Sequence, residues 1–90
     1  MTNNEFTTVK IEELPMALKG EKVYVSGTVI VNFDEQGFFD GAEMETCTEC
    51  FLENMIDVKF NVKDFSMENL TRNGKDLIIN TAIDNIKEQD

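Results

Sequence analysis

The chain has no histidine, and only 8 basic residues stand against 18 acidic ones. Without histidine it lacks the side chain that most often serves as general base near neutral pH. A nucleophile elbow and a phosphate-binding glycine loop are also missing. Carboxylates abound, but exposed acidic clusters usually face solvent, so the sequence predicts a protein that is not an enzyme. The formal net charge is −10. Direct binding to nucleic acid or to an anionic membrane is disfavoured, because both rest on basic groups. Attraction to a basic protein surface is favoured instead. The two cysteines make no disulfide framework, which points to a reducing, cytoplasmic setting. The longest uncharged run, Val23 to Phe33, falls short of the roughly 20 residues a membrane helix needs. MTNNEFTT shows no basic region followed by an apolar core, so no signal peptide is expected there. A chain of 90 residues makes one domain at most and leaves little room for a deep cleft.

What is present is a concentrated acidic stretch. Between Lys22 and Lys59 there is no basic residue, and Asp34, Glu35, Asp40, Glu43, Glu45, Glu49, Glu53 and Asp57 all fall there. Cys47 and Cys50 lie inside the same stretch, as do Phe38, Phe39 and Phe51. Cys-Thr-Glu-Cys is half of a zinc site, which Glu45, Glu49, Asp40 or a second chain's pair would have to complete. Two ordinary loop cysteines are the plainer reading. Glu45 and Glu49 disfavour a reactive thiolate between them. Asp34, Glu35 and Asp40 do not match a calcium loop. No cofactor is expected.

In chain order, residues 1–8 read as a flexible tail with an edge strand starting at Phe6, residues 9–86 as one globular domain, and residues 87–90 as a second tail. Val9 and Ile11 alternate like a strand. Pro15 and Gly20 bracket one helical turn. Val23–Phe33 is the clearest strand, with Val23, Val25, Val29, Val31 and Phe33 on one face and Gly27 marking a bend. Asp34–Gly37 reads as a turn. Phe38–Thr46 reads as a second strand with Phe38, Ala42 and Met44 inward, and Cys47–Cys50 as a loop. Met55–Val62 reads as a strand with Ile56, Val58, Phe60 and Val62 inward. A short helix follows, capped by Ser66 with Asp64 as the competing cap, and stapled by Phe65 and Leu70. Asp76–Ile86 reads as a last strand, with a helix from Asn80 as its alternative.

LKGEKVYVSGTVIVNF, through Leu18, Gly20, Lys22, Val23, Val25, Gly27 and Val29, resembles the first strand of an OB-fold domain. IDVKFNVKDFSMENLTRNGKDLIIN resembles that family's third strand, connecting helix and fourth strand. The resemblance spans residues 18–86 and implies a β-rich α+β fold: a small OB-like antiparallel barrel with one short helix between strands three and four. It departs from the family in having little chain left for a fifth strand. Phe6–Ile11 would have to close the barrel, or the fold is another small α+β sheet. The resemblance also implies a binding surface over Asp34–Gly37, Phe39, Glu43, Glu45, Asp57 and Lys59. Nucleic-acid binders of this kind carry aromatics in a basic groove; here the groove is acidic.

These readings converge on a small acidic interaction protein. It would bind a basic surface of a protein partner, as a nucleic-acid mimic that inhibits or regulates a nucleic-acid-binding protein. The expected contact residues are Asp34, Glu35, Phe39, Asp40, Glu43, Glu45, Glu49, Phe51, Glu53 and Asp57. An OB-type nucleic-acid or oligosaccharide-binding module and an oligomer linked by metal at Cys47 and Cys50 are the alternatives.

Overall fold

The strand read most clearly from sequence is the middle of the sheet. In the computed structural model, which describes residues 5–89, β2 (Glu21–Phe33) runs antiparallel between β1 (Glu5–Leu18) and β3 (Phe39–Leu52). Its β-branched residues alternate. Val23, Val25, Val29, Val31 and Phe33 are buried on one face, while Tyr24, Ser26, Thr28, Ile30 and Asn32 are half-buried on the other. The molecule measures 45 × 21 × 21 Å, its length following from edge strands of 14 residues that rise about 3.3 Å per residue.

Lys19 (φ 52°) and Gly20 (φ 81°) join β1 to β2. Two successive left-handed residues are what a two-residue hairpin turn requires. The β2–β3 turn is held by Asp34, whose Oδ1 accepts from the backbone N–H groups of Gln36 and Phe38, both at 2.9 Å.

Bulges decide which side chains meet the core. On β1, Ile11 pairs with Gly27 but Leu14 with Val25, so Glu12 and Glu13 together oppose Ser26. Glu13 takes φ 51° and its N–H donates to Ser26 Oγ at 3.0 Å. The extra residue switches parity, so that Val9 and Ile11 are buried and then Leu14 and Met16. On β3 the register gains one residue at each of three places: near Asp40 and Gly41, at Glu45, and at Thr48. Met44 and Cys50 are thereby buried, with Ala42, Cys47 and Leu52 half-buried against the same core.

After β3 the chain turns back. Val58 N–H donates to Cys50 O at 3.0 Å, and two single 3₁₀ turns follow, Val62–Asp64 and Met67–Asn69. Helix α1 (Arg72–Gln89) starts at Thr71, whose Oγ1 accepts from Gly74 N–H at 3.1 Å. Gly74, Ile78 and Ala82 recur every four residues and are buried, and Ile83 and Ile86 are partly buried against the core. That stripe covers the apolar face of β1 and β2.

The fold is thus mostly sheet with one helix, but several expectations are corrected. The sheet is open and three-stranded, not an OB-like barrel. Residues 76–86 are helix, so no fourth strand closes the sheet among the described residues, and the helix follows strand three. Ile78 and Ala82 fit both periods, and the Thr71 cap together with the uncovered sheet face favours the helix. Residues 55–62 form no strand, and Ile56 and Val62 are exposed. Cys47–Cys50 lies within β3 rather than a loop. Phe38 is 66% exposed rather than core. Pro15 lies in β1, not in a helical turn. The edge strand expected from Phe6 is present and begins at Glu5, and helix α1 runs through residues 87–89. Residues 1–4 and 90, the remainder of the two expected tails, lie outside the described residues. Ser66 does cap as expected, its Oγ accepting from Glu68 N–H at 3.2 Å, but over a single 3₁₀ turn.

Candidate protein-binding surface

With α1 on one face, the other face of the sheet carries no covering element among the described residues. Pairing places its side chains in rows across the three strands. Pro15, Tyr24 and Phe51 form one row. The next holds Glu12 and Glu13, then Ser26, then Glu49. Lys10, Thr28 and Thr46 follow, and then Thr8, Ile30 and Glu43.

The face is concave at the second row. Gly27, between Ser26 and Thr28, belongs by alternation to the buried face, and its lack of a β-carbon lets the β3 backbone approach closely, since a β-carbon there would run into the Thr46 carbonyl oxygen. The β1 bulge at Glu12–Glu13 and the β3 bulge at Thr48 flank this one position from opposite sides. Between them lies a groove of about 450 Å³, with Glu12 and Glu13 on one wall, Thr48 and Glu49 on the other, and Ser26, Gly27 and Thr28 beneath; Lys10 also lines it.

Among the described residues the single ion pair joins Lys22 Nζ to Glu53 at 4.0 Å. The same ammonium lies 5.5 Å from the centre of the Tyr24 ring, within reach of a cation–π contact. The carboxylates of Glu12, Glu13, Glu43 and Glu49 are exposed and have no such partner.

The expected contact residues are dispersed. Phe51, Glu49 and Glu43 share the open face, in its first, second and fourth rows. Glu45 and Asp40 are exposed at β3 bulges. Asp34 is used by its turn, beside exposed Glu35. Phe39 pairs with Phe33, which belongs to the core face. Glu53 and Asp57 lie at the opposite end of β3, where Asp57 bridges Phe51. Sequence reasoning missed Glu12 and Glu13. The signal available was the break in alternation between Ile11 and Leu14, which marks a bulge rather than a helical turn.

Cys47 and Cys50 straddle the Thr48 bulge and both side chains meet the core side. Both are free thiols. Burial pushes both pKa values up, and the neighbouring Cys47 adds to the rise at Cys50. Among the described residues no three His, Cys, Asp or Glu side chains come together as a metal-ligand set, and no helix is long and apolar enough to cross a membrane.

Comparison with known protein families, with curated proteins and with solved structures finds no match to this chain.

Proposed function

We propose that this chain is a non-enzymatic interaction protein whose open sheet face binds a basic surface of a protein partner, in the manner of a nucleic-acid mimic. A nucleic-acid-binding protein is the partner class that fits best, because its own groove is basic and already suited to dispersed negative charge. The observation that carries this reading is the row arrangement of Glu12, Glu13, Glu43 and Glu49. Among the described residues these carboxylates lie across one uncovered face with no ion pair, and the apolar row of Pro15, Tyr24 and Phe51 lies on the same face. The two free thiols support action in a reducing, cytoplasmic setting.

The test is capture from cell extract by the immobilised chain, compared with a variant carrying Glu43→Lys and Glu49→Lys. The expected result is a partner with a basic surface, retained by the wild type, lost by the variant, and released as salt rises from about 0.05 to 0.5 M. Retention that ignores both the charge reversal and the salt would overturn the proposal. So would a gel shift of single-stranded DNA or RNA by the chain at physiological salt.

A further inference from the structure

The open face is not uniformly acidic, and its shape singles out one place. Both edge strands bulge at the level of Gly27, so the sheet is hollowed there and carboxylates stand on either side. Three carboxylates, from Glu12, Glu13 and Glu49, line this groove against the one ammonium of Lys10. Its volume of about 450 Å³ is that of a cleft able to receive a side chain or small ligand. One row along the sheet, Lys22 Nζ already rests over the Tyr24 ring at 5.5 Å, so the same face holds a cation of the protein's own.

We infer that the groove across Gly27 receives an arginine side chain from an extended basic segment of the partner. This inference rests on the proposed function and names its anchor. The two walls belong to β1 and β3, separated by two inter-strand spacings, or roughly 10 Å of backbone. A lysine ammonium presents three donors from a single atom. The planar guanidinium spreads five donors over a fixed fork, which suits carboxylates on opposite walls better. An extended segment advances about 6.6 Å for every second residue, which matches the spacing of the rows on β2. The residue two positions from the arginine therefore falls over Tyr24 and Phe51.

The test uses the full chain and two defined probes, hexa-arginine and hexa-lysine peptides, followed by amide chemical shifts at low salt. In the wild type, shifts are expected to centre on Lys10–Glu13, Ser26–Thr28 and Thr48–Glu49. Hexa-arginine should bind more tightly than hexa-lysine. Glu12→Gln, Glu13→Gln and Glu49→Gln together should weaken hexa-arginine about tenfold or more, as expected for losing charge-assisted contacts. Asp40→Asn with Glu45→Gln, which removes two carboxylates outside the groove, should change it less than about twofold. Equal losses in the two variants, equal affinity for the two peptides, or shifts spread along all of β3 would overturn the arginine site while leaving a generally basic partner in place. Absence of binding by either peptide would remove both readings.

Discussion

The two edge strands of this sheet are protected in opposite ways. β1 lies under the helix. Asn85 Nδ2 donates to Thr8 O at 3.2 Å, Leu70 bridges Met16, and one bulge interrupts the strand. β3 is interrupted at three places. Among the described residues its outer edge receives the returning chain only near its end, where Val58 N–H donates to Cys50 O and Leu52 N–H to Ile56 O, both at 3.0 Å. Before that point it presents Asp40, Glu43, Glu45 and Glu49, all exposed. One edge is guarded by cover and the other by charge and irregularity, both known defences against strand pairing between molecules. The acidic character of β3 therefore has a structural use as well as the proposed one.

The largest expected effect comes from Gly27→Val. The new β-carbon collides with the Thr46 carbonyl, and the three atoms nearest to it all belong to β3. The predicted cost is about 3 kcal/mol or more, as for severe overpacking, measured by urea unfolding. Hydrogen exchange should show β3 amides losing protection first while Val9 and Met16 keep theirs. Simultaneous loss on both edges would mean that the two strands are not independently secured.

Ile78→Ala attacks the other edge. Ile78 is fully buried in the helix stripe that covers β1, and truncating a buried isoleucine costs about 2–4 kcal/mol. Here the protection of β1 should fall before that of β3. A cost below about 1 kcal/mol would show that the helix contributes little to the core.

The cysteines give a pH test that touches β3 alone. Burial raises both thiol pKa values in the folded chain. As pH climbs past the ordinary thiol value, the unfolded chain loses its thiol protons while the folded chain keeps them. Their contribution to stability is therefore complete below that value and is lost as pH rises through the raised, folded values. Cys47→Ala with Cys50→Ala should flatten this alkaline decline. An unchanged alkaline slope in the double variant would assign the decline to other groups.

The alternation that made β2 legible is the same signal that misled elsewhere. Val23 through Phe33 keeps one parity because no residue is inserted into it, so its buried face could be read directly. β1 changes parity at Glu12–Glu13, and the broken alternation makes the stretch from Pro15 to Gly20 read as a helical turn. β3 slips three times, so Cys47 and Cys50 sit on one face although their numbers differ in parity. In residues 76–86 Leu77, Ile79 and Ile83 fit a strand's alternation while Ile78, Ala82 and Ile86 recur every four residues, and the Thr71 cap with the need to cover the sheet distinguishes helix from strand. The acidic stretch itself was legible. Its split between turn, open face and far end was not, and neither was the contribution of Glu12 and Glu13 from a strand distant in sequence.

The smallest effect on stability is the sharpest test of the two defences. Glu43→Gln, Glu45→Gln and Glu49→Gln leave side-chain size unchanged at exposed positions, so unfolding free energy should move by no more than about 0.5 kcal/mol. What should change is association. With its charges gone, β3 keeps only its bulges as a guard, and the variant should self-associate at concentrations where the wild type sediments as a monomer. Glu12→Gln with Glu13→Gln neutralises the β1 bulge but leaves the helix, Asn85 and Leu70 in place, so that variant should remain monomeric. If it associates as readily as the β3 variant, overall negative charge prevents association and the edges are not distinguished. If only the β3 variant associates, the carboxylates guard that edge locally. Glu43 and Glu49 then stand on the face proposed for the partner for two reasons, and a bound basic segment would neutralise the charge while covering the surface it protects.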